Sequence, residues 1–416
     1  MEIHGNCHKQ FQKVRDTFEN NFYDEGEIGA ALCVFHKGKK VVDLWAGFKN
    51  VERSEPWLDD TIVPFFSVTK GLTALCFGML ADKKKLSYDK LVSHYWPDFA
   101  NHGKENITVK QLLEHTAGLH SLGTKLQISD FWTNPEKVYK ALIDQRPAWT
   151  PGEKQGYGAQ IWGAYAAELF KRINAETAGT FFQREIAKKL KLNIYLGLPE
   201  SSVSKVATVY PISNLKRILF LLPQMIKGEG SEGRAGRDVL FGDSEVSKAY
   251  LNPQVGLKGL NTFNDPELHK HELLWANGIG DARSLATIYN ILAVGGKKGT
   301  YKLLSSSLLK KLSAKHPLYY DMVIHKNMGW NYGFLKEEEG IFSPNSETFG
   351  HPGMGGSLSF ADTKDKIAFG YVCNKMDYRV RAPKTLKLCK AVYLSLIHIS
   401  EPTRLRRISY AVFCLK

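Results

Sequence analysis

The chain lacks a cysteine framework. Its six cysteines, Cys7, Cys33, Cys76, Cys373, Cys389 and Cys414, form no Cys-x-x-Cys pair and no regular spacing. That argues against a disulfide scaffold and against a four-thiolate zinc site, and fits reduced thiols in a cytoplasmic protein. Long apolar runs are also missing. No stretch approaches the roughly 18 residues of a membrane span, and Met1 to Asn6 has no charged-then-apolar leader pattern. Ile218-Leu219-Phe220-Leu221-Leu222, ended by Pro223, reads as a buried or lid helix in preference to a membrane-surface contact. A basic stripe with interleaved aromatics is absent as well. The formal charge is +14, yet the lysines come in short groups with acids between them (Lys37 to Lys40, Lys83 to Lys85, Lys188-Lys189), which argues against nucleic acid as a partner.

What is present is ordinary globular material, 43% apolar and 24% charged over 416 residues, enough for a large core. The end of the chain is the exception. Leu394 to Arg404 resembles translated sequencing-adapter read-through, so residues 395–416 are set aside as a non-native tail carrying Arg404, Arg406, Arg407 and Lys416 against Glu401.

Pro64-Phe65-Phe66-Ser67-Val68-Thr69-Lys70-Gly71 organises the rest. Ser-x-x-Lys occurs at Ser67, Ser87, Ser202, Ser213 and Ser307, but only Ser67 joins an aromatic approach to a long apolar continuation, Leu72 to Ala81. In a helix starting near Ser67, the two side chains lie on one face about 5–6 Å apart. A buried lysine whose pKa is lowered can take the serine proton and make the hydroxyl a nucleophile. The plainer alternative is a helix cap beside a solvated lysine.

Along the chain, Phe11, Val14, Phe18 and Phe22 mark an amphipathic helix, and Ala30 to Phe35 with Val41 to Ala46 a hairpin. Ile107 to Leu113 leads into a helix ending at a glycine cap, Gly118. Trp132 and Trp149 are core or pocket aromatics, and a helix spans 160–173. Lys227 to Arg237 reads as a glycine-rich loop. Its Gly228-x-Gly230-x-x-Gly233 is rejected as a dinucleotide site, because a helix precedes it and Glu229 and Glu232 would repel phosphate. His269-Lys270-His271-Glu272 reads as an exposed loop and not a metal site. Asn277 to Asp281 is a turn before a helix over 282–294, with Asp281 as its cap and Arg283 in an ion pair. Phe349 to Asp362 and Ile367 to Cys373 pair as antiparallel strands, and a helix follows Pro383.

Three elements stand in order: Ser67-x-x-Lys70, Tyr157-Gly158-Ala159 and His351-Pro352-Gly353. With Leu112-Leu113-Glu114-His115-Thr116-Ala117-Gly118-Leu119, Asn277 to Ala286 and Gly350 to Ser357, they resemble the serine β-lactamase and penicillin-binding-protein superfamily over about residues 10–394. The likeness is to its class C-like branch, which holds family VIII carboxylesterases and the β-lactamase-related proteins of animals. The resemblance implies an α/β fold of the α+β type. An antiparallel sheet with terminal helices forms one lobe (1–62 and 285–394), and an inserted, mainly helical lobe (63–284) faces it across a cleft. It implies Ser67 as acyl-accepting nucleophile and Lys70 and Tyr157 sharing the base work, Tyr157 with a pKa lowered by neighbouring cations. The oxyanion and substrate groups would be Ser67, His351, Gly353 and Met354. No metal or cofactor enters this reading.

Two departures matter. Ala159 stands where the family pattern has Asn, and His351 where it commonly has Lys. Both weaken recognition of an anionic β-lactam and favour an uncharged ester. The expected function is a serine hydrolase, a carboxylesterase on short or medium acyl esters, with an amidase, peptidase or β-lactamase-like hydrolase on the same site, or a non-catalytic scaffold, as alternatives. The expected partner is a small-molecule ester or amide, and a homo-oligomer is left open.

Overall fold

The computed structural model describes residues 1–241, 245–336, 338 and 340–400. An eight-stranded antiparallel sheet is built from the two ends of the chain. Its strands are β1 (Ile3–Cys7), β2 (Gly29–His36), β3 (Lys39–Gly47), β4 (Trp330–Asn331), β5 (Phe334–Lys336), β6 (Phe349–Pro352), β7 (Leu358–Asp362) and β8 (Ile367–Cys373), in the order β1-β3-β2-β8-β7-β6-β5-β4. The central strands are apolar from Gly29 to Val34 of β2 and along all of β8, because both faces are covered there. Ala30, Leu32 and Val34 meet Phe11, the cap of helix α1 (Gln12–Asp24), and Val14, Phe18 and Phe22 within it, with Leu388 and Val392 of α7 (Pro383–Ser400), in one core. Ala31 and Cys33 point the other way and join the core that holds Leu285 and Ile288 of α6 (Ala282–Ala293). Helix and sheet approach closely there, since a Cβ on Gly370 would lie 2.4 Å from the carbonyl oxygen of Ala282. Asp281 caps α6 by accepting from the Ser284 N–H at 2.6 Å, and Arg283 ties it to Asp43 of β3 at 2.9 Å, as expected from sequence.

Along the chain between β3 and β4 come α2 (Val68–Asp82), α3 (Ile161–Asn174), α4 (Asn214–Lys227) and α5 (Gly230–Phe241). Several expectations change here. The glycine-rich stretch after Lys227 is helix α5 and not a loop: Gly233 serves close helix packing, a Cβ there falling 2.7 Å from the Gln224 carbonyl oxygen of α4. Helix α4 passes through Pro223 and ends at Lys227, and with Leu219, Phe220 and Leu222 exposed its apolar run is not the buried helix expected. The helix before Gly118 is shorter than expected, Val109–Leu113, because His115 takes a left-handed φ of 60°. His269 is buried and bonded to the Phe263 carbonyl at 2.7 Å, while Glu272 holds Thr177 and the Gly179 N–H, so that segment is not an exposed loop. Trp132 and Trp149 are half-buried and stack on His271 and His120. Among the described cysteines, Cys7, Cys33, Cys76 and Cys373 are free thiols. Of the stretch set aside as a tail, residues 395–400 continue α7 and residues 401–416 lie outside the described residues.

Candidate active site

Ser67 is placed by backbone that only this local sequence allows. The expected turn at 277–281 is in fact a short strand, Gly278–Gly280, which pairs with Val63–Pro64 just before the serine. Glycine is required at 278, because a Cβ would sit 2.2 Å from the ring of Phe65. The chain then turns through Phe66 at φ 50°, a strained left-handed position for an aromatic residue, and enters α2. Ser67 occupies the cap position but its side chain makes no cap bond. The hydroxyl is left for other partners, and among Phe65 to Lys70 only Ser67 is not fully buried.

Those partners are Lys70 and Tyr157. Lys70 Nζ lies 3.3 Å from Ser67 Oγ and donates to the carbonyls of Ala159 at 2.8 Å and Trp275 at 3.1 Å. Its amine is fully buried, and burial alone drives its pKa well below that of an ordinary lysine. The uncharged amine has two N–H groups and one lone pair. Two carbonyls take the two N–H groups, so the lone pair faces Ser67. Tyr157 places its hydroxyl 3.1 Å from the same Oγ, with Lys70 Nζ 4.9 Å from its ring centre. Contrary to the expectation of a lowered pKa, burial dominates and pushes the phenol upward, and the Asp321 carboxylate pushes it the same way. Tyr157 is therefore held as a protonated donor.

Just past β6 the backbone packs against the approach to Ser67. A Cβ on Gly353 would lie 2.2 Å from the carbonyl oxygen of Phe65, so the glycine lets this backbone abut the residues just before Ser67. His351 sits behind Tyr157 with ring centres 6.2 Å apart. Its ring is buried and neutral, its pKa lowered well below normal chiefly by burial, and Nδ1 is 2.6 Å from the Pro352 carbonyl.

A family model described as beta-lactamase matches residues 14–388. The chain belongs to the beta-lactamase family. Within that family it is 27% identical to the esterase/beta-lactamase LipL of Mycobacterium tuberculosis, over 90% of this chain and 83% of LipL. Among solved structures, a family VIII carboxylesterase superposes with a TM-score of 0.80 at 32% identity, covering 95% of this chain and all of the other. A penicillin-binding-protein homologue from Caulobacter crescentus gives 0.81 at 31% identity with the same coverage.

Sequence reasoning gave no role to the residues that hold Tyr157 in this beta-lactamase-family site. Trp330 stacks on its ring, 5.5 Å away and 10° from parallel. His115 accepts from the Gly158 N–H through Nδ1 at 3.1 Å. Asp321 is completely buried and accepts from the N–H groups of Tyr157 (3.1 Å), Val323 (3.0 Å) and Ile324 (2.9 Å), and from the Gln155 amide (3.2 Å). All four partners are donors, so the group is a carboxylate although burial raises its pKa. A lone Asp between Tyr320 and Met322 carries no sequence signal of this duty.

Asp321→Asn keeps an oxygen for the three backbone N–H groups but sets an amide against the Gln155 amide. It is expected to cost about 1–3 kcal/mol of stability. Because an anion that raises the Tyr157 pKa is gone, kcat should fall about tenfold with little change in KM, and the alkaline limb of the rate profile should move to lower pH. A denaturant titration and a pH profile of kcat read these effects separately.

Proposed function

We propose that this serine hydrolase works through an acyl-enzyme on Ser67 and takes uncharged esters with short or medium acyl groups. The site lies in the cleft between an α/β lobe (1–62 and 285–394) and a helical lobe (63–284). The observation that carries the reading is the convergence of the Lys70 amine and the Tyr157 phenol on one partly exposed hydroxyl, at 3.3 and 3.1 Å.

Lys70 takes the Oγ proton as Oγ attacks the ester carbon. The developing oxyanion is received by the N–H groups of Ser67 and Met354, each such donor lowering the barrier by on the order of 3 kcal/mol. As the tetrahedral intermediate collapses, the Tyr157 hydroxyl delivers a proton to the departing alkoxide and the proton held by Lys70 restores the phenol. Water then enters where the alcohol left, and as its oxygen attacks the acyl carbon its proton passes through the Tyr157 hydroxyl to the Lys70 amine. As the acyl–Oγ bond breaks, Lys70 returns that proton to Ser67 Oγ and the acid departs.

Charge at the site supports a neutral substrate. Lys70 and His351 are both buried with lowered pKa values. Arg381, whose charge is felt at Tyr157 and His351, is committed to buried Glu338 through Nε at 2.9 Å and a second guanidinium N–H. No side-chain amide projects from position 159 to grip an amide carbonyl. The ester assignment also accords with LipL and the family VIII structure, whose names record esterase activity.

A fluorophosphonate probe tests the proposal. Wild type should gain one adduct on the peptide carrying Ser67, and Ser67→Ala should gain none. Absence of labelling throughout about pH 6 to 9 would leave the fold as a non-catalytic scaffold. Turnover of matched esters and amides by the unlabelled enzyme, with Ser67→Ala as the control, then separates esterase from amidase.

A further inference from the structure

Helices α4 and α5 form a hairpin whose inner face is already filled. Leu221 and Met225 are buried at its centre, where Gly233 and Gly236 let the two helices close on each other. The outer face of α4 is apolar as well. Leu219 is 59% exposed, Leu222 38% and Ile226 74%, one stripe at helical spacing, with Phe220 beside it at 55%. At the end of α5, Phe241 is 78% exposed. Soluble surfaces rarely carry large apolar side chains in a row.

From this surface we infer that the α4–α5 hairpin docks on an anionic phospholipid bilayer, lying along it without crossing it. Charge selects this occupant. The sequence of α4 contains Lys216, Arg217 and Lys227 and no acid, and the chain without the tail set aside above carries +11. An apolar stripe with basic residues on one helix is the pattern of an interfacial anchor. A second copy of the chain is the poorer fit, because pairing the stripes would bring two cationic helices together. No helix among the described residues is long and apolar enough to span a membrane.

The hairpin is also joined to the catalytic side of the molecule. Arg234 donates to the His325 carbonyl at 2.8 Å, in the turn that begins at Asp321. Phe220 stacks on Tyr378, beside Asp377, whose N–H bonds the Gly355 carbonyl. Docking through α4 therefore brings the cleft close to the bilayer surface, where esters of membrane lipids are found. The docking itself does not depend on the catalytic reading, since binding and turnover are measured apart.

The test is co-sedimentation with vesicles of phosphatidylcholine alone or mixed with phosphatidylglycerol, at low and high salt. Wild type should bind the mixed vesicles and lose most of that binding in high salt. Leu219→Ser and Ile226→Ser should each weaken binding about tenfold, and Lys216→Gln and Arg217→Gln about fivefold each. All four variants should hydrolyse a water-soluble ester at the wild-type rate. Absence of binding to mixed vesicles, equal binding to both vesicle types, or binding that these variants leave unchanged would each overturn the inference. So would sedimentation velocity showing a dimer that Ile226→Ser dissociates, in place of vesicle binding.

Discussion

Lys70→Met and Lys70→Arg should each slow acylation of Ser67 by about 10³-fold or more, the range expected when a general base is lost. The two substitutions remove different things. Methionine takes away the charge-capable group, whereas arginine keeps a cation and cannot give it up at any ordinary pH. If Lys70 acted as a positive charge on the oxyanion or on Tyr157, arginine would preserve much of the rate. If it acts through the lone pair left after the Ala159 and Trp275 carbonyls have taken its two N–H groups, both variants fail alike. The pH dependence has a definite sign. Burial lowers the pKa of Lys70, so the competent neutral amine prevails above that value, and wild-type acylation is lost as pH falls through it. Single-turnover acylation, measured as a function of pH in wild type and both variants, reads all of this. Near-wild-type acylation in Lys70→Arg would transfer the base role elsewhere.

Ser67, Lys70, Tyr157 and His351 could be found in the sequence because the chemistry needs those residue types and each sits in a short motif with a neighbour at fixed spacing. The central strands were legible for a related reason: Ala30 to Val34 and Ile367 to Cys373 are buried on both faces, which writes unbroken apolar runs. What holds the site in place was not legible. β1 is an edge strand of the sequence Ile-His-Gly-Asn-Cys with its middle exposed, and nothing in that pattern distinguishes it from a loop. Gly278 and Gly280 look like turn residues, yet they form a strand because Phe65 and Ile194 occupy the space a Cβ would need. Likewise, Gly230 to Phe241 is helical because α4 lies against its small residues, a tertiary cause that overrides the low helix propensity of glycine. Asp321 acts on a backbone N–H 164 residues away. The pKa of Tyr157 was misjudged because sequence names the cations nearby but not the depth of burial, and burial is the larger effect.

That raised pKa leads to the second large effect. Tyr157→Phe removes only a hydroxyl, and the ring keeps its stack on Trp330 and its packing with His115, so the fold should survive. With Lys70 intact, Ser67 can still lose its proton. What fails is protonation of the alkoxide as it departs. An alkyl ester, whose alkoxide is a poor leaving group without a proton, should lose about 10²-fold or more in kcat. A nitrophenyl ester, whose phenolate departs unaided, should lose much less. Were Tyr157 the base, both substrates would suffer equally, because the defect would precede the choice of leaving group. The comparison therefore separates donor from base without a measured pKa. A uniform loss across leaving groups would reverse the assignment of the two residues, even if the distances around Ser67 stayed as they are.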